Sequence, residues 1–500
     1  MLIHQIINQT NIDQIAFLGL QTITYGNLQQ KITEYRNFFY QQGIRPGDNI
    51  GLFSKNSIEF IYSYLAIVSL EAVVVPLNFQ LVPREIAHII QDANIRILIT
   101  MSELELVDEL TNYDYKQPLI QLIIPNFANA ITSSTLTSAP VPTIFDENTL
   151  CTIIYTSGTT GRPKGAMLTH KNLVSNAQAF SQICPHSVED RVLCVLPMYH
   201  CFAWTVAMLT PLLNGCSIKI LESFNIRETI ATIRDNDITI MSGIPTMFRL
   251  FTQWATAEDF AHVRVFISGG SSLPQEISQQ FTEKTGKKVM EGYGLSEASP
   301  VVSLNPVDKI KYCSIGKPLP GIDVRIIDNQ TTDLPFGQIG ELLVRGPNVM
   351  LGYYHLPEES AKALQHGWLH TGDLAYIDED GYLFIVDRLK DMIITSGENI
   401  YPREIEELLY TYPSVAEVAV IGVPDKLRGT TVRAYIVARE GHLLNKKLLQ
   451  GYLQKKIAPY KMPREFIIVT SLPKNATGKI LKKVLRQQAQ SDCAKDSIPC

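Results

Sequence analysis

The hydrophobic positions of the first 120 residues alternate between helical and strand spacing. Over residues 26–43 (GNLQQKITEYRNFFYQQG) apolar side chains recur every three or four positions, which predicts a helix that stops at Gly43. Residues 56–72 (NSIEFIYSYLAIVSLEA) are apolar on more than one face and predict a buried helix with Asn56 as its N-cap. The runs DNIGLF, AVVVPL and RILIT predict short strands. This alternation favours parallel sheets covered by helices.

The pattern changes further along the chain. Strand and helix patterns alternate to about residue 330, and residues 337–387 are rich in strand patterns such as GQIGELLVRG and GYLFIVD. The charged run DRLKD follows, and after it a new set of strand and helix patterns begins. Its first helix is short and has Pro402 in its first turn. We predict an α/β fold with a large body of parallel-rich sheets covered by helices plus a β-rich part. The predicted boundaries are a body over 1–387, a hinge over 388–391 and a small α+β domain over 392–500.

The composition excludes several classes of protein. The chain has 500 residues, of which 45% are apolar and 19% are charged, as in ordinary soluble globular proteins. The net charge of -5 argues against nucleic-acid binding, which normally requires a basic excess. No run of 18 or more apolar residues occurs, so we expect no transmembrane segment. The eight cysteines form no C-x-x-C pair and the N-terminus does not resemble a secretory signal, so we expect a cytoplasmic protein without a zinc site.

Charge is distributed unevenly between the two parts of the chain. From Arg388 to the end there are 19 Lys and Arg against 11 Asp and Glu, whereas the preceding part has 25 against 38. Most of the C-terminal lysines are expected on a solvated surface. A basic C-terminal domain is also suited to close over an anionic ligand that the acidic body holds.

One loop has the composition of a phosphate-binding segment. Residues 155–165 read YTSGTTGRPKG and follow the strand pattern CTIIY, so the loop leaves a strand end, where ligand loops of α/β sheets lie. Its glycine N–H groups, hydroxyls and lysine can contact phosphate oxygens. The loop is not a P-loop, because Pro163 and Gly165 stand where that motif requires Gly and Ser or Thr. Taken alone, a flexible turn without a ligand would be the simpler interpretation.

A second loop, GYGLSEASP at residues 292–300, has an acid within a glycine- and serine-rich segment. Glu297 follows Ser296, and a carboxylate beside bound phosphate is what Mg²⁺ requires, since Mg²⁺ shares phosphate oxygens with one or two carboxylates. Tyr293 offers a ring on which a base could stack. Each of these signals is weak in isolation.

Two more segments suit a nucleotide or its substrate. Asp373 lies in LHTGD, at a strand end suited to a ribose diol, and Arg388 follows at the end of the β-rich part. In PKNATGKILKK, Lys479 follows a glycine turn and is predicted to stand at the start of a helix. Lys482 and Lys483 are expected on the solvated face of that helix.

Five segments, in this order and spacing, resemble the motifs of the adenylate-forming superfamily, which includes acyl-CoA synthetases, nonribosomal adenylation domains and luciferases. They are YTSGTTGRPKG at 155–165, GYGLSE at 292–297, TGD at 371–373, DRLKDMIITSGENIYPREIE at 387–406 and PKNATGK at 473–479. The resemblance covers nearly the whole chain. It implies that a carboxylate attacks the α-phosphate of ATP, giving an acyl-adenylate and pyrophosphate, and that a thiol then displaces AMP. It also implies that the C-terminal domain is a mobile lid.

The resemblance assigns roles to individual residues. Lys479 matches the catalytic lysine that bridges the substrate carboxylate and the α-phosphate, Glu297 matches the acid associated with Mg²⁺, and Thr156 is the second expected metal-site residue. Segment SGGSSLP resembles the wall that flanks adenine opposite Tyr293. The expected ATP- and AMP-binding residues are Thr156, Ser157, Gly158, Thr159, Thr160, Lys164, Gly269, Gly270, Tyr293, Gly294, Ser296, Asp373 and Arg388.

The resemblance also predicts how the lid works. Lys390 falls at the hinge about which the lid rotates between the two steps. Ser396, Gly397 and Glu398 match the segment that lines the thiol tunnel after rotation, where a glycine lets a pantetheine arm pass close to the backbone. The first lid position would bring Lys479 to ATP.

The acid pocket is expected in PMYHCFAWTVAMLTPLLNG, residues 197–215. His200 matches a position near the substrate carboxylate and is expected to be catalytic. Amino-acid-activating relatives bind the substrate amine with an Asp in this region, and none occurs between residues 191 and 234, which favours an apolar acid. Trp204 resembles an aromatic residue that gates the acyl tunnel, although a Trp in a buried helix is equally consistent with simple core packing.

These observations favour an ATP- and Mg²⁺-dependent ligase that joins a medium- or long-chain fatty acid to CoA. The segment before the hinge has no insertion of the kind that blocks CoA in fatty acyl-AMP ligases, but a carrier protein bears the same pantetheine arm. An aryl-acid CoA ligase is an alternative with the same fold. A P-loop NTPase is disfavoured by the mismatches in the loop, and a non-catalytic relative by the presence of Lys479, Glu297 and Asp373 together.

Overall fold

The structure, a computed structural model, describes residues 1–128, 131, 138–140, 146–156, 163–395, 398–425, 429–474 and 479–495. Its strands in chain order are β1 Ile15–Leu18, β2 Ile23–Thr24, β3 Asn49–Phe53, β4 Val73–Pro76, β5 Ile97–Thr100, β6 Ile120–Ile123, β7 Leu150–Thr156, β8 Lys164–Thr169, β9 Arg191–Cys194, β10 Ser217–Ile220, β11 Ile240–Gly243, β12 Val265–Ser268, β13 Val289–Gly294, β14 Val301–Leu304, β15 Lys317–Pro318, β16 Asp323–Ile327, β17 Gly340–Arg345, β18 Gly352–Tyr353, β19 Leu364–Gln365, β20 Trp368–Ile377, β21 Leu383–Arg388, β22 Ile393–Thr395, β23 Glu398–Ile400, β24 Val415–Asp425, β25 Gly429–Ala438 and β26 Glu465–Val469.

Its α-helices are α1 Tyr25–Gln41, α2 Ile58–Ser69, α3 Pro83–Asp92, α4 Val107–Asn112, α5 Ile124–Ala128, α6 His170–Ile183, α7 Cys201–Ala203, α8 Thr210–Leu213, α9 Ile226–Asp235, α10 Pro245–Trp254, α11 Gln275–Thr285, α12 Pro357–Ala363, α13 Pro402–Tyr410, α14 Lys446–Gln454 and α15 Lys482–Lys495. A π-helical stretch, Trp204–Leu209, joins α7 to α8. Among the described residues, no helix is long and apolar enough to cross a membrane.

Two parallel-rich sheets form the centre of the body. The nine-stranded sheet has the order β15-β14-β13-β12-β11-β9-β10-β1-β2, and its strands from β13 to β1 are all parallel. The seven-stranded sheet has the order β18-β8-β7-β4-β3-β5-β6, and β7, β4, β3, β5 and β6 are parallel. The strands predicted at DNIGLF, AVVVPL and RILIT are β3, β4 and β5. The predicted α/β class is therefore confirmed.

Helix α2 is buried nearly all round, as its apolar sequence predicts, but its N-cap differs from the prediction. The cap is Ser57, whose hydroxyl accepts a hydrogen bond from the amide N–H of Phe60 at 3.2 Å. Asn56 instead donates to the carbonyls of Leu196 (2.9 Å) and Leu221 (3.1 Å) and accepts from the N–H of Met198 (2.8 Å). Asn56 thus ties the start of α2 to the segments that follow β9 and β10.

The β-rich part and the C-terminal part form separate sheets. Strands β16, β17, β20, β19 and β21 make an antiparallel sheet, and β24, β25 and β26 make a three-stranded sheet against which α13 and α15 pack. The buried apolar residues from Ile393 onward form clusters that include no core residue from the preceding chain. The predicted α+β character of this part is confirmed, whereas the hinge at 388–391 stays a prediction.

Candidate active site

A cavity of about 500 Å³ lies between the body and the C-terminal part. Its walls come from α10 and the ends of β12, β13, β20 and β21 on the body side, and from α13, β24, the segment before α15 and the start of α15 on the other side. Seven of the predicted site residues line it: Gly270, Tyr293, Gly294, Asp373, Arg388, Lys390 and Lys479. Segments that lie more than two hundred residues apart in the sequence therefore meet in one cleft.

Asp373 lines the body side of this cleft. It stands directly opposite Arg388 in the antiparallel pairing of β20 with β21, and Arg388 Nε lies 3.1 Å from Asp373 Oδ1. The hydroxyl of Tyr293 donates to Asp373 Oδ2 at 2.5 Å. Asp373 raises the pKa of Arg388, and burial followed by the Asp373 charge raises that of Tyr293 well above its usual value. The carboxylate is therefore oriented from two sides.

Lys479 approaches the same cleft from the C-terminal part. Burial, and then the positive charge of Arg388, lowers the pKa of Lys479 to about 8. Helix α15 begins only at Lys482, so the prediction that Lys479 starts a helix is wrong. Ile480 instead pairs with Lys474 in an isolated antiparallel bridge.

A second prediction about this segment is also wrong. Lys482 does not face solvent: its ammonium group lies 2.7 Å from Glu406 Oε1, and both side chains are largely buried. Lys483 is exposed, as predicted. Helical periodicity places Lys482 on a face of α15, but the acid that makes its burial possible lies on α13 and only the fold brings it there.

His200 caps the buried helix that begins at Cys201. Its Nδ1 accepts a hydrogen bond from the N–H of Phe202 at 3.2 Å, so a neutral ring has its proton on Nε2. Burial, and then the charge of Lys479, lowers the pKa of His200 to about 4, so the ring is neutral at physiological pH. The charge of Lys479 thus acts on His200, which does not itself line the cavity.

Glu297 and Ser296 lie in a short 3₁₀ turn immediately after β13. The hydroxyl of Tyr353 donates to Glu297 Oε1 at 2.9 Å. The thiol of Cys201 lies 3.3 Å from Ser296 Oγ, which connects this turn to the helix that His200 caps. Glu297 is a single carboxylate, and no group of three or more His, Cys, Asp or Glu suited to a metal occurs among the described residues. This donor set fits Mg²⁺ that takes its other ligands from phosphate and water.

The predicted phosphate loop joins two antiparallel strands, β7 and β8. Thr156 is paired with Lys164 across this hairpin, and the Thr156 hydroxyl lies 3.4 Å from the Lys164 carbonyl oxygen. A P-loop would lead into a helix, so the predicted difference from a P-loop is confirmed. Lys164 Nζ lies 2.5 Å from Glu359 Oε2. Four residues predicted in this loop lie outside the described residues: Ser157, Gly158, Thr159 and Thr160.

Two glycines follow β12 beside the cleft. A Cβ on Gly269 would lie 2.9 Å from the ring of Phe202, so the absence of a side chain lets this wall pack against the helix capped by His200. Gly270 has a φ of +79°, a conformation that favours glycine. The predicted adenine wall and the predicted acid-binding segment are therefore in direct contact.

The remaining predicted residues lie at different depths. Lys390 is exposed, although partial desolvation, and then the charge of Arg388, lowers its pKa. Glu398 is exposed on β23, while Ser396 and Gly397 lie outside the described residues. Trp204 is 2% exposed, and its ring centroid lies 4.0 Å from that of Tyr64 and 5.7 Å from that of Phe60.

The sequence interpretation missed Glu291, which also lines the cavity. Its carboxylate accepts from the N–H of Leu273 at 3.0 Å, and burial raises its pKa to about 7. A charged residue within the apolar strand pattern VMEGYG was the available signal. Tyr353 and Glu359, which contact Glu297 and Lys164, were also missed, and the sequence gives no comparable signal for them.

Two family models match the chain. The model of the AMP-binding enzyme family matches residues 4–354, and the model of the AMP-binding enzyme C-terminal domain matches residues 404–479. A long-chain-fatty-acid--CoA ligase of Bacillus subtilis (strain 168) is 33% identical, over 95% of this chain and 91% of that protein. A feruloyl-CoA synthase of Amycolatopsis sp. is 34% identical, over 94% of both chains.

The chain is also similar to solved structures of related enzymes. ATP-bound MatB from Rhodopseudomonas palustris is 31% identical and superposes with a TM-score of 0.91, covering 98% of this chain and 99% of that chain. The apo form of MatB, at 30% identity and the same coverage, gives a TM-score of 0.80. O-succinylbenzoate coenzyme A synthetase from Bacillus subtilis, in complex with ATP and magnesium ion, is 27% identical with a TM-score of 0.86, covering 98% and 99%.

The fold and the family matches together define an adenylate-forming enzyme. The chain belongs to the AMP-binding enzyme family, because the family model spans more than half of its length and several relatives match nearly all of it. Within that family it is an AMP-forming acyl-CoA ligase.

Proposed function

We propose that this enzyme activates a medium- or long-chain fatty acid with ATP and Mg²⁺ to give an acyl-adenylate and pyrophosphate, and then transfers the acyl group to the thiol of CoA, releasing AMP. The observation that carries the proposal is the meeting of Lys479 with Asp373 and Arg388 in one cavity, within the electrostatic reach of His200. This arrangement suits a reaction between two anions, a carboxylate and a phosphate, which requires charge neutralisation and positioning.

In the first step the nucleotide would bind the body side of the cleft. Asp373 would accept hydrogen bonds from the ribose diol with Arg388 beside it, and Tyr293 would stack on adenine. The backbone of Gly269, Gly270 and Gly294 would line the base and Ser296 would contact phosphate. Mg²⁺, held by Glu297 and Thr156, would neutralise charge on the triphosphate. Ser157, Gly158, Thr159, Thr160 and Lys164 would hold its pyrophosphate portion.

Lys479 would bridge the attacking carboxylate and the α-phosphate. Its pKa of about 8 leaves it mostly protonated at neutral pH, and the arrival of two anions would strengthen that state. His200, neutral and with its proton on Nε2, would donate a hydrogen bond to the carboxylate without adding charge.

The second step would follow rotation of the lid about Lys390. The present arrangement, with Lys479 in the nucleotide cleft, corresponds to the first step, and the closer superposition on ATP-bound than on apo MatB supports this interpretation. After rotation, Ser396, Gly397 and Glu398 would line the passage for the pantetheine thiol. CoA is the proposed acceptor, and a carrier protein with the same arm is the alternative acceptor. The cytoplasmic setting stays a prediction from the sequence.

The choice of a fatty acid rests on the apolar character of the segment after His200. Every residue from Ala203 to Leu212 is buried, and residues 191–234 contain no Asp that could bind a substrate amine. The match to a long-chain-fatty-acid--CoA ligase supports this choice. An aryl acid is the second candidate, because a feruloyl-CoA synthase matches the chain at almost the same identity.

The test is pyrophosphate release from ATP across a panel of carboxylic acids, with and without CoA. The panel contains saturated fatty acids from C6 to C18, ferulate, benzoate and amino acids. We expect fatty acids to give the highest kcat/KM, with acyl-CoA formed in proportion. Preference for ferulate would replace the fatty-acid proposal by the aryl-acid one, and absence of pyrophosphate with every acid would refute the activity.

A further inference from the structure

Lys164, the proposed pyrophosphate-binding lysine, already has an acidic partner in the protein. Its Nζ lies 2.5 Å from Glu359 Oε2 and 5.1 Å from the ring centroid of Tyr353. Tyr353 in turn donates to Glu297, the proposed Mg²⁺ ligand. The side chain of Tyr353 therefore connects the Lys164–Glu359 ion pair to the proposed Mg²⁺ ligand.

We propose that Glu359 is a positioning residue that competes with the polyphosphate for Lys164, so that it weakens the binding of ATP and pyrophosphate and favours pyrophosphate release. This inference rests on the proposed function, because it takes Lys164 as the group that contacts the pyrophosphate portion. No group is transferred in this exchange: the Lys164 ammonium passes between a carboxylate and a phosphate oxygen.

The backbone fixes Glu359 relative to Lys164. Strand β18 pairs with β8, with Tyr353 opposite Ala166, and the N–H of Tyr354 donates to the Gly165 carbonyl at 2.8 Å. Helix α12, which bears Glu359, is attached to β18 because Ser360 Oγ accepts from the N–H of Tyr353 at 2.8 Å. The two charged side chains therefore extend from elements that are hydrogen-bonded to one another next to the pair itself.

Glu359 also has a second partner that remains when Lys164 leaves. Its Oε1 lies 2.9 Å from Nζ of Lys362, one turn further along α12. These two lysines, Lys164 first, hold the pKa of Glu359 at about 2, so the carboxylate is ionised throughout the physiological range. When Lys164 turns to a phosphate, Glu359 keeps Lys362, and no unpaired charge is left behind.

The direction of the effect follows from linkage. An interaction that exists in the free enzyme and is lost on binding weakens the binding of the ligand by the free energy of that interaction. Glu359 is partly exposed, which limits the effect to about two- to fivefold in affinity. The Glu359 carboxylate therefore favours product loss over product rebinding after the adenylate has formed.

The experiment measures equilibrium binding of magnesium pyrophosphate and magnesium ATP to the full-length enzyme by calorimetry. No carboxylic acid is added, so no turnover occurs. The variant is Glu359→Gln, and the matched control is Glu358→Gln on the same helix, an exposed residue that acts electrostatically on Lys362. We expect Glu359→Gln to bind both ligands about two- to fivefold more tightly at low salt. We expect Glu358→Gln to bind them as the wild type does.

A double-mutant cycle separates direct competition for Lys164 from a general change in the electrostatic potential of the site. In a Lys164→Met background, Glu359→Gln should leave both affinities unchanged, because there is no longer a Lys164 ammonium for which Glu359 and the phosphate compete. Unchanged or weaker binding by Glu359→Gln in the wild-type background would overturn the inference, as would equal tightening by Glu358→Gln. Failure of the wild type to bind either ligand would instead refute the proposed function, so the two failures are distinguishable.

Discussion

At the scale of single residues, Asp373 is oriented before a nucleotide arrives. One carboxylate oxygen faces Arg388 and the other accepts from Tyr293, and the antiparallel register of β20 and β21 fixes the first of these contacts. A carboxylate that is held from two sides loses little further freedom on binding a ribose diol. The body therefore holds the proposed ribose ligand in a preorganised position, whereas the position of Lys479 depends on the C-terminal part.

This difference predicts that Lys479 matters for only one of the two half-reactions. Lys479→Ala should slow adenylation by roughly 10²–10³-fold or more, because it removes the charge that we propose bridges the two reacting anions. ATP–pyrophosphate exchange measures this step. Transfer to CoA from a supplied acyl-adenylate should largely survive, and equal loss of both activities would contradict a role confined to the first step.

The lowered pKa of Lys479 predicts a pH dependence. Since the group must be protonated to bridge two anions, kcat/KM for adenylation should fall above about pH 8, by about tenfold per pH unit for a single ionisation. Lys479→Arg should be less active at neutral pH but should lack this fall, because a guanidinium stays protonated. Initial rates of pyrophosphate release from pH 6 to 10 measure both profiles, and a wild-type rate that is flat to pH 10 would argue against the assignment.

Trp204 offers a test of substrate selection at a single position. Its contacts with Tyr64 and Phe60 are those of a core residue, yet a closed gate would be buried in the same way. If it gates the acyl site, Trp204→Phe should change the relative kcat/KM values across fatty acids of different length. Lower stability in urea with an unchanged chain-length profile would assign it to the core alone.

At the scale of elements, the adjacent residues Asn56 and Ser57 at the start of α2 have different structural roles. Ser57→Ala removes the helix cap and should cost about 1 kcal/mol of the free energy of unfolding, with acid binding unchanged. Asn56→Ala removes three buried hydrogen bonds, one of them to Met198, two residues before His200. It should cost about 2 kcal/mol or more and also raise KM for the acid. Urea unfolding and acid titrations compare the pair, and equal KM values would contradict the link to His200.

The same two residues show where sequence interpretation succeeds and where it stops. Apolar periodicity is a local property, and it predicts α1, α2 and the central strands within a few residues. Asn56 and Ser57 are both good caps, and only the acceptors at Leu196 and Leu221, which come from distant segments, decide between them. Lys482 was wrongly predicted for the same reason, because its partner Glu406 lies 76 residues earlier in the chain.

The candidate site follows the same rule. The motif residues Tyr293, Asp373, Arg388 and Lys479 could be named because each lies in a segment with a characteristic sequence, and the fold brings them to one cavity. Glu359 and Tyr353 could not be named, because neither stands in such a segment. Their relevance comes from distances to Lys164 and Glu297 that only the folded chain provides.

At the scale of the whole molecule, ion pairs hold the C-terminal part against the body. Arg439 lies 2.9 Å from Glu276 of α11 and donates to the carbonyl of Val415 at 3.0 Å. On the neighbouring helix α10, Arg249 donates to the carbonyl of Ala416 and lies 3.4 Å from Glu417. The Arg439–Glu276 pair joins a basic residue of the C-terminal part to an acid of the body, whereas in the other pair the body supplies the base, Arg249, and the C-terminal part supplies the acid, Glu417.

These pairs should favour the arrangement in which Lys479 reaches the nucleotide. Glu276→Gln should lower ATP–pyrophosphate exchange by about two- to fivefold at low salt, and should leave thiol transfer from a supplied acyl-adenylate unchanged or faster. Glu283→Gln, at an exposed position on the same helix, is the control. The difference should disappear near 0.5 M salt because exposed charges are screened. Equal slowing of both half-reactions would indicate a general loss of stability instead.

The position of Arg388 bears on whether the acyl-adenylate stays bound between the two steps. Arg388 is the last residue of a strand that is hydrogen-bonded into the body sheet, and Lys390, the proposed pivot, comes two residues later. In the proposed cycle the lid therefore swings away while the Asp373–Arg388 pair stays behind with the adenylate. The adenylate would then stay bound through its ribose while the cleft is open to water. In that cycle the yield of thioester per ATP consumed would depend on the contacts of the body sheet more than on the speed of the lid.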